Sequence, residues 1–177
     1  MTPSPRLGLL AFVAAALALL AVLATLPPTG FFSADSGPKY WQCVAFAEGE
    51  GWPRGFDYPA RDLDPERRHI PPFTAPIGDQ LASIYPVLFP LLATIPEVAA
   101  GDRALRLLPW LTALVAAWAA GRLASALRGA PVAGWGAAGA LAATPLAFYA
   151  ITFWEHSLAS AIEVVGLLLV VEGERDG

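Results

Sequence analysis

Cysteine and charge are both scarce in this chain. Cys43 is the only cysteine among 177 residues, which excludes an intrachain disulfide and a metal cluster held by several thiolates of the chain. Charged residues make up 15% of the sequence, well below the roughly one quarter of soluble domains. Basic residues form no stripe of the kind that binds nucleic acid, so no nucleic-acid partner is expected. With 56% hydrophobic residues, the composition predicts an integral membrane protein.

Residues 7–26 form the first long hydrophobic run, directly after Arg6. A run of this length crosses a hydrocarbon core of ~30 Å as a helix. A cleaved signal peptide is the alternative interpretation. The run is longer than the ~7–15 residues of a signal core, and no A-x-A cleavage site follows before Pro27-Pro28. The sequence therefore favours a retained first span.

Residues 27–103 are predicted to be an outer loop that carries amphipathic, juxtamembrane helices. Eight of the fifteen acidic residues and nine of the seventeen prolines lie between residues 27 and 80. One helix fits there, at residues 37–48, with Ser36 as its cap and Gly49 after its end. Its aromatic residues suit a helix on the lipid headgroups, and a small soluble helix packed on the loop is the alternative.

The second half of the chain predicts three further spans. Residues 81–100 are hydrophobic but contain Pro86, Pro90 and Pro96, so this segment is interpreted as broken or interfacial. Residues 104–127 and 131–153 form a helical hairpin rich in Ala and Gly, and residues 157–171 are the fourth span, with Glu163 as a packing or cleft residue. The predicted fold class is all-α: a polytopic transmembrane helical bundle in a single membrane domain, residues 1–177.

Basic residues in short loops mark the cytoplasmic side of a membrane protein. If residues 81–100 do not cross, four arginines lie inside and the amino terminus is cytoplasmic: Arg6, Arg122, Arg128 and Arg175. This topology puts Asp35 and Glu155 on the same outer face. If residues 81–100 do cross, the two acids lie on opposite sides of the bilayer. The prolines and the arginines favour the first topology.

Four motifs occur in a recognisable order. They are Ser33-Ala34-Asp35-Ser36-Gly37-Pro38-Lys39-Tyr40-Trp41-Gln42, Tyr85-Pro86-Val87-Leu88-Phe89-Pro90, Gly101-Asp102-Arg103-Ala104-Leu105-Arg106 and Thr152-Phe153-Trp154-Glu155-His156. In this order the chain resembles the amino-terminal portion of GT-C-fold membrane glycosyltransferases, such as protein O-mannosyltransferases and lipid A aminoarabinose transferases. The chain departs from the family in two ways. Ile84 stands where some members have a lysine, and the second acid is Glu155 where it is often Asp.

The resemblance implies a GT-C-like bundle, and an enzyme that moves a sugar from a polyprenyl-phosphate carrier to a lipid, glycan or protein acceptor. It implies that Asp35 is the general base or orients the acceptor, and that Glu155 is the second acid. The predicted substrate-binding residues are Lys39, Tyr85, Arg103, Arg106 and His156. No cofactor is required by this interpretation, and a divalent cation shared by the acids is left open.

The expected location is the plasma (inner) membrane, with multiple crossings and contact with membrane lipids. The alternative function is a non-enzymatic membrane protein, either a transporter subunit or an assembly scaffold. The placement of acids separates the two hypotheses. A transferase concentrates acids at the outer surface, whereas an ion-coupled transporter needs several at mid-membrane.

Overall fold

The computed structural model describes residues 4–28, 33–49, 55–128 and 130–176. In chain order the elements are α1 (Pro5–Thr25), α2 (Ser36–Ala47), β1 (Thr74–Ile77), β2 (Gln80–Ser83), α3 (Leu88–Ala100), α4 (Leu107–Arg128), α5 (Ala133–Ala142), α6 (Leu146–Ile151) and α7 (His156–Asp176). The chain divides into two compact units. The helical unit comprises Met1–Leu26 with Arg106–Gly177, and the loop unit comprises Pro27–Leu105.

Within the described ranges, three helices are long and apolar enough to cross a membrane: Pro5–Thr25, Asp102–Arg128 and His156–Arg175. They coincide with three of the hydrophobic runs in the sequence. The central one, which contains α4, has 50% of its most apolar window buried within the protein, against 11% for each of the other two. The helical unit is therefore built around α4.

The expectation of one continuous helix over residues 131–153 is wrong. The chain forms α5 and α6 instead, with a break at residues 143–145. Thr144 Oγ1 donates to the Ala140 carbonyl at 2.6 Å and accepts the N–H of Leu146 at 3.2 Å. Pro145 has no N–H to continue the helix. The threonine thus satisfies backbone groups on both sides of the break, which the proline creates.

Small residues allow the helices of this unit to approach closely. A Cβ on Gly121 of α4 would lie 2.1 Å from the carbonyl oxygen of Ala133, and one on Gly134 of α5 would lie 2.4 Å from the backbone N of Leu9. Neither position has room for a side chain. Buried alanines of α1 and α4, together with Leu141 and Ala150, form the core between these contacts. This packing is typical of helices in lipid, where small residues bring backbones together.

The helix directions follow from cross-helix contacts. Trp110 Nε1 donates to the Ala16 carbonyl at 3.2 Å, and the rings of Phe12 and Trp118 lie 5.7 Å apart, so α4 runs antiparallel to α1. α7 runs parallel to α4. Thr112 Oγ1 lies 3.0 Å from Ser157 Oγ near the start of both helices, and a salt bridge joins them near their ends.

The four arginines expected on the cytoplasmic side share one end of the helical unit. Trp135 Nε1 at the start of α5 donates to the Ser4 carbonyl at the start of α1, at 3.1 Å. Arg175 Nη1 at the end of α7 donates to the Ala126 carbonyl near the end of α4, at 2.9 Å. The arginines at this end are Arg6, Arg122, Arg128 and Arg175. Leu26 and Glu155 lie toward the opposite end.

The loop unit contains a β-hairpin that the all-α prediction missed. β1 pairs antiparallel with β2, from Thr74 opposite Ser83 to Ile77 opposite Gln80. The two-residue turn begins at Gly78, whose φ of 58° is typical of a type II′ turn. A Gly-Asp pair between two short β-prone runs was the available signal for this hairpin. The structure is otherwise mostly helical.

Asp64 organises the longest irregular segment of the loop unit. Its carboxylate accepts the N–H groups of His69 at 2.7 Å and Arg68 at 2.9 Å, and the hydroxyl of Tyr58 at 3.0 Å. These bonds, the one from His69 first, lower the pKa of Asp64. Tyr58 packs in a core with Phe56 and other apolar residues. The carboxylate therefore ties the irregular segment to this core.

Helix α2 begins one residue earlier than expected, so Asp35 and not Ser36 occupies its N-cap position. Gly49 follows its end with a φ of 78°, as the sequence predicts. The helix packs against α3 and β2. This favours the alternative of a helix packed on the loop, although Trp41 is 37% exposed.

Helix α3 has thirteen residues and Pro96 inside it. Its length of about 20 Å, at 1.5 Å per residue, is less than the ~30 Å hydrocarbon core. A stripe of large apolar residues on it is exposed: Leu88, Leu91, Ile95 and Val98. The helix therefore has the length and surface of an interfacial helix.

Candidate functional site

Asp35, the predicted catalytic acid, immediately precedes α2. Its side chain makes no capping hydrogen bond to the described first turn of that helix. Instead, Ser33 Oγ donates to Asp35 Oδ1, and Lys39 Nζ lies 3.3 Å from Oδ2. Both carboxylate oxygens are oriented by these contacts, while 18% of the side chain remains exposed. Capping hydrogen bonds therefore do not account for the acid at this position, and solvent can reach its carboxylate.

Lys39 is buried, with 1% of its side chain exposed. Its Nζ lies 3.3 Å from Asp35 Oδ2 and 3.9 Å from the centre of the Tyr85 ring. A cation over an aromatic face is attracted by the π-electrons of the ring, and more strongly when water is absent. The ammonium therefore joins α2 to the segment between β2 and α3. The predicted role of Lys39 in substrate binding stays a prediction.

Tyr85 offers one ring face to Lys39, and its ring lies 5.6 Å from that of Phe73. The structure thus shows a supporting contact for Tyr85, and its predicted substrate-binding role stays a prediction. The sequence grouped Asp35, Lys39 and Tyr85 as site residues, and the loop unit brings all three together. Their common feature is a single chain of contacts from the carboxylate through the ammonium to the ring.

A second cluster lies between α2 and the end of α3, and no motif of the sequence predicted it. Tyr40 Oη donates to Asp102 Oδ1 at 2.9 Å. Burial, followed by this bond, raises the pKa of Tyr40 to about 12. Burial and the neighbouring Asp102 raise the pKa of Glu97. Glu97 Oε2 is buried and has no hydrogen-bond partner among the described residues.

Cys43 belongs to the same side of α2. Its Sγ is 3.7 Å from Thr94 Oγ1 of α3, and the residue is fully buried. Burial raises the pKa of the thiol to about 12. The thiol is therefore protonated at neutral pH and acts as a packing group. Nucleophilic or metal-binding chemistry needs the thiolate.

The two arginines predicted to bind substrate have different surroundings. Arg103 lies in a short 3₁₀ turn of the loop unit and is exposed. Arg106 belongs to the helical unit, where it is 5% exposed. An exposed guanidinium can form a fork with a phosphate, whereas a buried one is closed to ligands from solvent. Of the two, Arg103 is therefore the one that a ligand from solvent can reach.

Glu155 directly precedes α7, His156 begins it, and aromatic rings contact His156. The His156 ring lies 4.7 Å from that of Tyr149 and stacks on that of Trp154 at 5.1 Å. Phe148 adds a further edge contact to Trp154 at 5.8 Å. Glu155 is partly buried and His156 is exposed. Such a group fits the aromatic belt at a membrane surface, and equally an apolar platform beside an acid.

The predicted site residues thus fall into two groups. Asp35, Lys39 and Tyr85 belong to the loop unit, and Glu155 and His156 to the helical unit. Among the residues that the structure describes, no group of three or more His, Cys, Asp or Glu side chains could hold a metal ion. The pairing of Asp35 with Glu155 in one site stays a prediction.

Comparison with protein-family models, with curated proteins and with solved structures finds no match for this chain. The likeness to GT-C glycosyltransferases therefore rests on the four motifs and their order. The contacts around Asp35 are a separate, structural observation about the same predicted site.

Proposed function

We propose that this chain is, or forms part of, a membrane glycosyltransferase that moves a sugar from a polyprenyl-phosphate carrier to an acceptor on the outer face of the membrane. The observation that carries the proposal is the convergence of Asp35, Lys39 and Tyr85. An acid that needed only to cap α2 would accept hydrogen bonds from the backbone N–H groups of its first turn. This one is held by side chains and keeps an exposed edge.

The proposed reaction needs a base for the acceptor hydroxyl. As the acceptor oxygen forms a bond to the anomeric carbon, the bond from that carbon to the phosphate oxygen breaks, and polyprenyl phosphate leaves with the electron pair. The hydroxyl proton passes to Asp35. A base positioned in this way contributes about 10²–10⁴-fold to the rate. The sugar-carrying lipid and the acceptor are the two substrates, and the reaction needs no further reactant.

Lys39 is proposed as a positioning residue for this base. A neighbouring ammonium favours the ionised carboxylate, which is the form that accepts a proton. Proton transfer accompanies formation of the bond to the sugar, because that bond makes the hydroxyl proton acidic. Tyr85 stabilises the buried ammonium in turn. Arg103, which is exposed, is the proposed ligand of the donor phosphate.

The proposed topology follows from the ends of the helical unit. The arginines at one end fit the cytoplasmic side by the distribution of basic residues. The chain leaves the helical unit at Leu26 and returns at Arg106, away from that end. We therefore propose that residues 27–105 and Glu155 face the outside of a multi-pass plasma (inner) membrane protein, with the amino terminus cytoplasmic.

The test is sugar transfer by the whole chain in proteoliposomes, with a panel of polyprenyl-phosphate-linked hexoses and aminopentoses as donors. We expect Asp35→Asn to lower transfer by about 10²-fold or more, because the general base is lost, without lowering the amount of protein in the membrane. Asp62→Asn is the matched control, since Asp62 is an exposed acid of the same unit. Retained transfer by Asp35→Asn would contradict the role of Asp35.

A second candidate function, an assembly scaffold or transporter subunit, is favoured by one observation. The most apolar windows of α1 and α7 are only 11% buried, and Glu163 of α7 is exposed within its span. A carboxylate facing hydrocarbon is costly, so a further helix or a water-filled cavity beside it would lower the free energy. Wild-type protein that transfers no sugar from any donor, yet copurifies in a stable larger complex, would favour this function.

A further inference from the structure

An apolar groove runs along the helical unit between α1, α4 and α7. Its volume is about 390 Å³. It is lined by Phe12, Leu114, Val115, Trp118, Ala119, Val165 and Leu168, with Arg122 as its one charged residue. All three helices are long and apolar enough to span a membrane, so the groove has the composition of a surface that faces lipid chains.

Arg122 also lines a second hollow of about 390 Å³, which is polar. This hollow lies at the arginine end of the unit and includes Ser125, Glu172 and Arg175. Arg122 Nη2 is 2.6 Å from Glu172 Oε1, and the Arg122 side chain is 49% exposed. One charged residue therefore stands where an apolar groove meets a polar hollow.

That arrangement matches the two parts of a phospholipid. Basic pockets between spans on the cytoplasmic side bind anionic headgroups. A guanidinium has five N–H donors in a planar fork, and the salt bridge with Glu172 occupies one edge of it. A phosphate can use the rest, and it gains most if Glu172 turns away. The apolar groove next to it would accommodate an acyl chain.

We propose that this groove binds one anionic phospholipid of the surrounding membrane, with an acyl chain against Trp118 and the phosphate on Arg122, in competition with Glu172. The site is independent of the proposed transferase activity. It lies in the helical unit and uses none of the residues assigned to sugar transfer. The charge of the lipid selects it, because the apolar groove alone would accept the chain of any phospholipid.

The test uses the whole chain in phosphatidylcholine vesicles, titrated with brominated phosphatidylglycerol or brominated phosphatidylcholine while tryptophan fluorescence is recorded. Bromine quenches the indole that it contacts. We expect the apparent affinity obtained from the quenching to be about fivefold higher for the anionic lipid, since one basic residue near the headgroup contributes about that factor. The selective part of the signal should disappear in Trp118→Phe.

Three charge variants decide the result. Arg122→Gln should reduce the preference to about one, whereas Glu172→Gln, which frees the arginine, should increase it. Arg128→Gln is the matched control, because Arg128 is an exposed arginine at the end of α4 that lines neither the groove nor the hollow. An unchanged preference in Arg122→Gln, or an equal loss in Arg128→Gln, would overturn the proposal.

Excess inorganic phosphate separates the lipid from a free anion. Because the acyl chain holds the lipid in the groove, the quenching by brominated phosphatidylglycerol should persist. Displacement by inorganic phosphate would mean that the arginine binds any phosphate, and the lipid site would be rejected. The opposite changes expected of Arg122→Gln and Glu172→Gln also distinguish binding from misfolding, since a misfolded variant would not gain selectivity.

Discussion

Different interactions stabilise the interior of the helical unit and the interior of the loop unit. In the helical unit, glycines and alanines let backbones touch, as where Gly121 meets Ala133. In the loop unit, carboxylates gather N–H and O–H donors, as Asp64 does. Regular helices satisfy their own backbone groups and need only close packing. An irregular loop leaves backbone donors to be satisfied by side chains.

The largest loss of stability is expected where a side chain is added at a close contact between two helices of the helical unit. Gly121→Ala puts a Cβ 2.1 Å from a backbone oxygen of α5, so the helices must separate. We expect the free energy of unfolding in detergent micelles to fall by about 1–3 kcal/mol or more, measured by thermal denaturation followed by circular dichroism.

The matched control for that change is Gly166→Ala in α7, where a Cβ meets nothing within 4 Å. Alanine favours a helix over glycine by up to about 1 kcal/mol, so this variant should be unchanged or more stable. Equal stability of the Gly121 and Gly166 variants would show that close backbone contact does not hold the helical unit together.

The next effect concerns the carboxylate that holds the loop unit. Asp64→Asn weakens the acceptor for the N–H groups of Arg68 and His69, so the segment around them should open more often. We expect faster tryptic cleavage after Arg67 and Arg68 in the whole chain. Asp62→Asn, an exposed neighbour, should cleave at the wild-type rate.

The pH dependence of this contact has a defined direction. The folded state lowers the pKa of Asp64, so the carboxylate stabilises the loop above its ordinary pKa. That stabilisation is lost as pH falls through the lowered value. Because trypsin is inactive in acid, the opening of the loop is followed by intrinsic fluorescence as the pH is lowered. A low-pH step of the same size in wild type and in Asp64→Asn would exclude Asp64 as its source.

The smallest effect is a stabilisation. Burial and Asp102 raise the pKa of Glu97, so its neutral form stabilises the fold at low pH, and this stability is lost as pH rises through the raised pKa. Glu97→Gln should therefore be slightly more stable than wild type at pH 7 and equal to it in acid. Glu48 is an exposed acid after α2, so Glu48→Gln should leave the stability unchanged both at pH 7 and in acid. Thermal melting at two pH values measures the difference.

The sequence predicted the parts of the fold that depend on local length and composition. Runs of apolar residues identify α1, α4 and α7 because the bilayer thickness fixes how long a span must be. The break between α5 and α6 was missed although Pro145 signalled it. Proline is tolerated in membrane helices when neighbours satisfy the freed groups, so the residue alone does not decide.

The candidate site was predicted in part. Asp35 was predicted from its position before a helix and Lys39 from its place one turn later, and their functional roles stay predictions. The Lys39 ammonium lies against the ring of Tyr85, which is remote in the chain. No local pattern shows which distant ring will cover an ammonium. The same holds for Tyr40 and Asp102, whose hydrogen bond joins residues 62 positions apart.

Lys39 is the only lysine of the chain, and its amine is enclosed by Asp35 and Tyr85. Reagents that acylate amines therefore find no accessible lysine on the folded protein. Acylation of Lys39 requires the loop unit to open. The rate at which this residue is acylated, followed by mass spectrometry, therefore measures the rate or extent of that opening. The chain carries its own reporter of loop dynamics, with no label engineered into it.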